Sequence, residues 1–262
     1  MSNHPHKNLA STSDVPYLYL AQIYDHVMRH VDYEQWCDYI QMLFTRFKVT
    51  PSRILELACG TGTMSCLLAH RGYQMAGLDR SESMIKIAEG KSRETGLEIN
   101  YSVGDMICTQ PANSYDAILC LYDSINYVTE EADLLRMFRN LNSIISPGGL
   151  LIFDACTEIN SRRYFHNQVD RESTKDFSYI RKCEYLPETR IQVNEFQFTF
   201  NHTGKRYSTR ERHQQRIYPV EKLAELCSLA GYSILGQFDG FTLKTASENS
   251  NRVHYVVSPL TD

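Results

Sequence analysis

The chain has 262 residues, 42% hydrophobic and 22% charged, with a formal net charge of −4 at pH 7. That length holds one large domain, or one domain with a sizeable insertion, and the composition is ordinary for a soluble globular protein. The slight acidity gives no global attraction for nucleic acid or anionic lipid, and no apolar run approaches the ~20 residues that span a bilayer.

Residues 1–16, MSNHPHKNLASTSDVP, are polar, lack the apolar core of a signal peptide and read as a mobile leader. Residues 17–47 read as helical, with apolar positions at Leu20, Ile23, Tyr24, Val27 and Met28 and again at Trp36, Tyr39, Ile40, Leu43, Phe44 and Phe47. Val31-Asp32-Tyr33 divides the stretch into two helices. Tyr17 and Tyr24 either pack on a sheet or close over a ligand.

Ile54 to Ala69 is the organising stretch. Ile54, Leu55 and Leu57 read as a buried strand, Gly60 and Gly62 as a tight turn, and Met64, Leu67, Leu68 and Ala69 as an apolar helix. Strand, glycine turn and helix form the nucleotide-binding element of doubly wound α/β folds. Ser65 stands where a third glycine would be, and Glu56 precedes the turn. An acid there is poorly suited to a pyrophosphate but suits a ligand that carries a cation.

A second strand, Tyr73–Leu78, ends in Asp79, about 20 residues past the glycine turn, where an acid can accept hydrogen bonds from both hydroxyls of a ribose. The alternative is that Asp79 caps the helix Glu82–Gly90, although Ser81 is the better N-cap. Gly96 ends the helical stretch that follows. Ile99–Val103 makes a third strand, ending in Gly104-Asp105-Met106.

Tyr115–Leu121 is the fourth strand, its unbroken apolar run suiting a central parallel strand buried on both faces. It leads into Tyr122-Asp123-Ser124-Ile125-Asn126-Tyr127, which would border a ligand beyond the carboxyl ends of the strands. Asp123 and Ser124 could instead cap the helix Glu130–Leu141. Pro147-Gly148-Gly149 reads as a turn before the fifth strand, Leu150–Asp154.

Residues 157–175 are polar and loop-like. Phe177–Tyr185, Arg190–Phe200 and Lys205–Tyr218 then alternate as strands, separated by Pro187-Glu188 and His202-Thr203-Gly204. They predict an antiparallel meander, making 156–218 an insert in a core of 17–155 and 219–262. Val220–Ala230 is a helix stopped by Gly231, and Tyr232–Phe238 with Arg252–Val257 should form an antiparallel sheet edge.

The last meander strand has two faces. Tyr207, Thr209, Glu211, His213, Gln215 and Ile217 read as a pocket wall, where His213 is either a base, a substrate ligand or a packed histidine. Arg206, Ser208, Arg210, Arg212, Gln214 and Arg216 read as a solvated face, or as one that attracts an anionic substrate group.

The eight cysteines (Cys37, Cys59, Cys66, Cys108, Cys120, Cys156, Cys183 and Cys227) form no C-x-x-C pair and read as reduced, buried hydrophobes of a cytoplasmic protein. The nine histidines lack H-x-x-x-H spacing, so no metal is expected.

Taken as a set, E-L-A-C-G-T-G-T, the G-L-D strand end, G-D-M and the P-G-G turn resemble the class I S-adenosylmethionine (SAM) methyltransferases over roughly residues 17–258. The leader (Tyr24-Asp25, Asp32-Tyr33, Trp36), the L-Y-D-S-I-N-Y loop and the antiparallel insert look most like bacterial small-molecule enzymes related to amino-sugar and glycine/sarcosine-type N-methyltransferases. Leu121-Tyr122-Asp123-Ser124 stands where nucleobase and protein-glutamine methyltransferases carry N-P-P-Y.

The resemblance implies a Rossmann-like α/β fold with a seven-stranded sheet and a meander lid, binding SAM and releasing S-adenosylhomocysteine. It implies Glu56 near the amino group of the methionine end and Ala58, Cys59, Gly60 and Gly62 as the floor. Asp79, with Arg80 beside it, would meet the ribose, Met84 the adenine face, Asp105 the adenine amino group, and the Met106 backbone a ring nitrogen. Leu121 would adjoin them, and Tyr17 and Tyr24 would close the lid. Candidates facing the sulfonium are Tyr24, Asp123, Asn126, Tyr127 and His213.

The expected activity is methyl transfer to a small-molecule amine by in-line displacement. The alternatives are a small-molecule O-methyltransferase and a SAM-binding scaffold without turnover. Ser65 and Glu56 speak against a nicotinamide-dependent oxidoreductase. No nucleic-acid or membrane partner is expected, and the protein should be a monomer or homodimer.

Overall fold

The computed structural model describes residues 11–13, 16–108, 113–202 and 205–260. Most of the 1–16 leader lies outside that range, but Ser11–Ser13 forms a short strand, β1. A 3-10 turn at Leu20–Ile23 runs into one helical turn, α1 (Tyr24–Val27). The chain breaks before α2 (Tyr33–Arg46), whose start is capped by the Asp32 carboxylate accepting the Gln35 N–H at 2.9 Å.

The core then alternates strand and helix: β2 (Arg53–Leu57), α3 (Thr63–His70), β3 (Gln74–Asp79), α4 (Glu82–Glu94), β4 (Asn100–Val103), β5 (Tyr115–Cys120), a 3-10 turn (Ser124–Tyr127), α5 (Glu131–Asn142) and β6 (Ile145–Cys156). The insert contributes α6 (Glu158–Tyr164), β7 (Gln168–Ser173), β8 (Phe177–Leu186), β9 (Ile191–His202) and β10 (Lys205–Arg216). The chain returns through α7 (Val220–Leu229), β11 (Tyr232–Asp239) and β12 (Arg252–Pro259).

The main sheet has seven strands in the order β11-β12-β6-β5-β2-β3-β4. β2 to β6 are parallel, and β12 and β11 run antiparallel at one edge, as the sequence predicts. Apolar side chains on both faces explain the continuous hydrophobic runs. Leu57, Ile118, Cys120, Leu151 and Phe153 belong to the cluster with α5 and α7. Ile54, Ala117, Leu119 and Ile152 belong to the cluster with α2 and α3.

The second sheet, β1-β10-β9-β8-β7, differs from expectation in extent. The meander has four antiparallel strands, not three, and β1 adds a parallel edge to β10. The loop expected over 157–175 holds α6, capped by the Thr157 hydroxyl, and β7. β7 is a polar edge strand paired with β8, so it lacks the apolar alternation by which a strand is recognised. Pro147-Gly148-Gly149 is not a turn ahead of β6 but an irregularity within it, where the register with β5 slips between Tyr115 and Ala117.

All eight cysteines are free, and Cys108, contrary to expectation, is exposed. Among the described residues, no helix is long and apolar enough to cross a membrane.

Candidate active site

A cavity of about 590 Å³ opens beyond the carboxyl ends of β2, β3 and β4. The turn from β2 to α3 shapes its floor. Ala58, Gly60 and Gly62 there have φ of 51°, 55° and 73°. Ala58, Cys59 and Gly60 line the cavity. Gly62 does not: a Cβ on it would lie 2.4 Å from the Tyr101 hydroxyl and 2.9 Å from Ala88 Cβ, so this glycine lets α3 seat against α4 and β4.

Three acids line the cavity. Glu56 is only 4% exposed and accepts a hydrogen bond from the Ser65 hydroxyl. Burial pushes its carboxyl up to about 7, with the Ser65 bond opposing the rise. Asp79 accepts the Gly60 N–H on one oxygen and the Ser81 N–H on the other, each at 2.8 Å. Burial raises its pKa while those amides pull it down. Ser81, not Asp79, caps α4, through its hydroxyl and the Met84 N–H. Asp105 accepts the Ile107 N–H at 2.9 Å. Arg80, Met84 and Met106 complete this end of the lining.

Aromatic rings form the opposite wall. Tyr17, Tyr24, Tyr33, Tyr122 and Tyr127 all line the cavity. Tyr33 and Tyr122 stand in the leader and strand-end motifs read from the sequence, but neither was given a role of its own. Tyr122 packs 4.3 Å from Trp36 and 5.3 Å from Tyr33 between ring centroids. It reaches the cavity because Tyr122 and Asp123 are both left-handed, with φ of 60° and 50°, a turn that no glycine announces. Its hydroxyl is buried without a partner among the described residues.

Tyr17 and Tyr24 belong to a strap, residues 16–27, laid across the cavity. The Ser81 hydroxyl donates to Tyr17 O at 3.0 Å, and Asp25 accepts from the Thr61 hydroxyl at 2.5 Å and pairs with Lys91 at 3.0 Å. Leu20 and Ile23 pack on Phe196, Phe198 and Phe200 of the insert.

Behind the strap runs a hydrogen-bonded chain. The hydroxyls of Tyr17 and Tyr127 are 2.6 Å apart, Tyr127 Oη is 3.1 Å from His213 Nδ1, and His213 Nε2 is 3.1 Å from Glu211 Oε2. Burial raises the pKa of both tyrosines, so they stay protonated. Glu211, placed on the expected pocket wall but given no role there, also accepts the backbone N–H groups of Tyr17, Tyr19 and Leu20.

Several expected positions lie elsewhere. His213 is 1% exposed and behind Tyr127, not on the cavity wall, because its face of β10 packs against the strap. The opposite face, read as solvated or as attracting an anionic substrate group, has Arg206, Arg210, Arg212 and Gln214 exposed and also supplies Arg212 and Gln214 to the lining. Asn126 is fully buried and its amide is engaged: it donates to Arg216 O at 2.7 Å and accepts the Cys156 N–H at 3.1 Å. Asp123 pairs with Arg252 at 2.9 Å and accepts from Gln215 at 2.6 Å, and it is not in the lining. Leu121 is buried in the core under α2.

Comparisons with known proteins agree with this geometry. Residues 54–149 match the family model described as "Methyltransferase domain". A Bacillus subtilis (strain 168) protein, provisionally named a methyltransferase, is 29% identical over 90% of this chain and 94% of its own. A ubiquinone biosynthesis O-methyltransferase of Coxiella burnetii is 34% identical over 45% of this chain and 49% of its own.

Among solved structures, an S-adenosylmethionine-dependent methyltransferase from Clostridium acetobutylicum ATCC 824 superposes with a TM-score of 0.81 at 24% identity, covering 93% of this chain and 98% of the other. A sugar N-methyltransferase from Streptoalloteichus sp ATCC 53650 gives a TM-score of 0.75 at 18% identity, covering 98% of each chain. With the sheet order, the acid-lined cavity and these likenesses together, the chain is a SAM-dependent methyltransferase with the class I, Rossmann-like fold.

Proposed function

We propose that the protein methylates an amine nitrogen of a small-molecule acceptor. The roofed cavity carries the small-molecule part of this reading, and the fold shared with a sugar N-methyltransferase supports nitrogen as the acceptor. At about 590 Å³, bounded by the strap and by β10, the cavity leaves room beside the cofactor for a small acceptor only.

The residues fit SAM. Glu56 offers a buried carboxylate to the cationic methionine end, Asp79 is preoriented by two amides to accept from ribose hydroxyls, and Asp105 and the Met106 backbone meet the adenine. Met84 packs on the adenine face. Bound there, the cofactor supplies a methyl carbon already activated by its sulfonium. The chain's remaining task is to hold the acceptor on axis and keep water out, which Tyr24, Tyr33 and Tyr122 do as the wall.

An amine that arrives as ammonium must lose a proton before it attacks. Tyr127, bonded to His213, gives that proton a destination. The same contact favours a second reading, O-methylation, because a hydroxyl acceptor needs a base. Relatives of both kinds exist among the proteins this chain resembles.

The test is to incubate the purified protein with methyl-deuterated SAM and a bacterial cell extract, and to read small and macromolecular fractions by mass spectrometry. The expected result is a labelled small molecule whose fragments carry the methyl on nitrogen. Label on oxygen selects the second reading. Label only in protein or RNA contradicts both.

A further inference from the structure

Glu211 has no part in the cofactor site, yet it is buried at 1% exposure and accepts from four groups. The N–H groups of Leu20 (3.0 Å) and Tyr19 reach Oε1, and the Tyr17 N–H (3.1 Å) and His213 Nε2 (3.1 Å) reach Oε2. An ionised carboxylate accepts and never donates. His213 Nε2 must therefore carry the proton, and in the neutral ring Nδ1 is left as a bare lone pair. Tyr127 then donates its hydroxyl proton to Nδ1, and Tyr17 donates to Tyr127. Every proton in the chain points away from the cavity, and the phenol oxygens keep lone pairs toward it.

We propose that Glu211 is a positioning residue that polarises the chain Tyr17–Tyr127–His213, so that its cavity end accepts the proton released by the methyl acceptor. The proposal rests on the methyl-transfer reading above. The balance is complete. The acceptor's N–H or O–H bond gives its proton to a phenol oxygen, that phenol passes its own proton along the chain, and the last proton settles on His213 Nδ1. The imidazolium so formed is neutralised by Glu211. The acceptor's electron pair forms the new bond to the methyl carbon, and the carbon–sulfur pair returns to sulfur.

The same carboxylate assembles the chain. Tyr17 has φ of 62°, a conformation that is costly for a bulky residue, and the Glu211 carboxylate and the Ser81 hydroxyl hold it there. With the strap undocked, Tyr17 leaves the chain and the cavity loses its roof. Proton acceptance is thereby tied to closure.

Glu211→Gln separates this account from simple packing. A glutamine amide has one accepting oxygen and one donating nitrogen, so it cannot serve donors on both sides. With its nitrogen toward His213, the ring must switch to the Nδ1–H tautomer and the chain reverses. With its nitrogen toward Tyr19 and Leu20, the strap loses its anchor.

The experiment is long-range 1H–15N NMR of histidine-labelled full chain, saturated with S-adenosylhomocysteine, at about pH 8.5, where an imidazole is ordinarily neutral. We expect wild-type His213 as the Nε2–H tautomer, Glu211→Gln either displaced toward Nδ1–H or with faster amide exchange in residues 17–20, and Tyr127→Phe still Nε2–H. An Nδ1–H wild type, a switch in Tyr127→Phe, or a Glu211→Gln variant that keeps both the Nε2–H tautomer and the wild-type amide protection of residues 17–20 overturns the proposal. Should Glu211→Gln fail to fold, wild type and Tyr127→Phe still decide it.

In the extract assay, Glu211→Gln should label its acceptor about 100-fold more slowly, the low end of general acid–base effects. Wild-type labelling by that variant overturns the proposal. No label from the wild type sinks the methyl-transfer reading instead, while the tautomer measurement stands on its own.

Discussion

Ser65 replaces a glycine and, at the same time, supplies the hydroxyl that satisfies Glu56. The sequence gives the substitution but not the pairing. Its consequence is a pH dependence. The buried carboxyl, at about 7, stays protonated in the empty protein at pH values where the unfolded chain has released its proton. The native state then binds more protons, so this group's contribution to stability falls as pH rises from about 4.5 to about 7.

A cation bound beside Glu56 reverses the rise. SAM binding near pH 7 should release up to about half a proton, and affinity should grow as pH rises through that range. Calorimetry in buffers of different ionisation enthalpy reads the release. Equal heats in all buffers, or the same proton release from Glu56→Gln, would contradict the assignment. At this scale Glu56, Asp79 and Asp105 were legible because they stand at strand ends marked by glycines or apolar runs. The roles of Tyr122 and Glu211 were not. One depends on two left-handed residues without glycine, the other on backbone donors from a segment 191 residues distant.

Elements explain why alternation alone misplaced the substrate wall. β10 does have two faces, as its pattern says, but period two does not tell which face meets the cavity. The strap covers the face carrying Glu211 and His213, and the arginine face meets the mouth through Arg212 and Gln214. The α3 element was fully legible, and its tolerance can be predicted. Gly62→Ala puts a Cβ into Tyr101 and Ala88 at a φ of 73° and should destabilise the fold by about 1–3 kcal/mol. Denaturant titration measures it, and an unmoved midpoint would refute the packing role.

Among the described residues, the two sheets are joined by the strap and by the turn after β5, where Asn126, Tyr127 and Asp123 bond to β10. The antiparallel edge of the main sheet was foreseen, but the docking of the leader on the insert was not, since such long-range contacts leave no local period. Phe198 is central to that joint, stacked between Phe196 and Phe200 and fully buried against the strap's apolar residues. Phe198→Ala should cost about 3–5 kcal/mol of local stability. Hydrogen exchange should quicken in residues 17–27 and in β8–β10, and stay slow in β2, β3 and β5. Uniform loosening of both sheets would mean that the joint does not act as a separate unit.

The central claim is that Asp79 and its neighbours hold the cofactor. It is tested most directly by calorimetric titration of S-adenosylhomocysteine into wild type and Asp79→Ala. The account predicts one saturable site in the wild type and a loss of ~1–3 kcal/mol in the variant, from the missing charged hydrogen bonds to ribose. Equal affinity in both proteins, or no binding by the wild type, would contradict it.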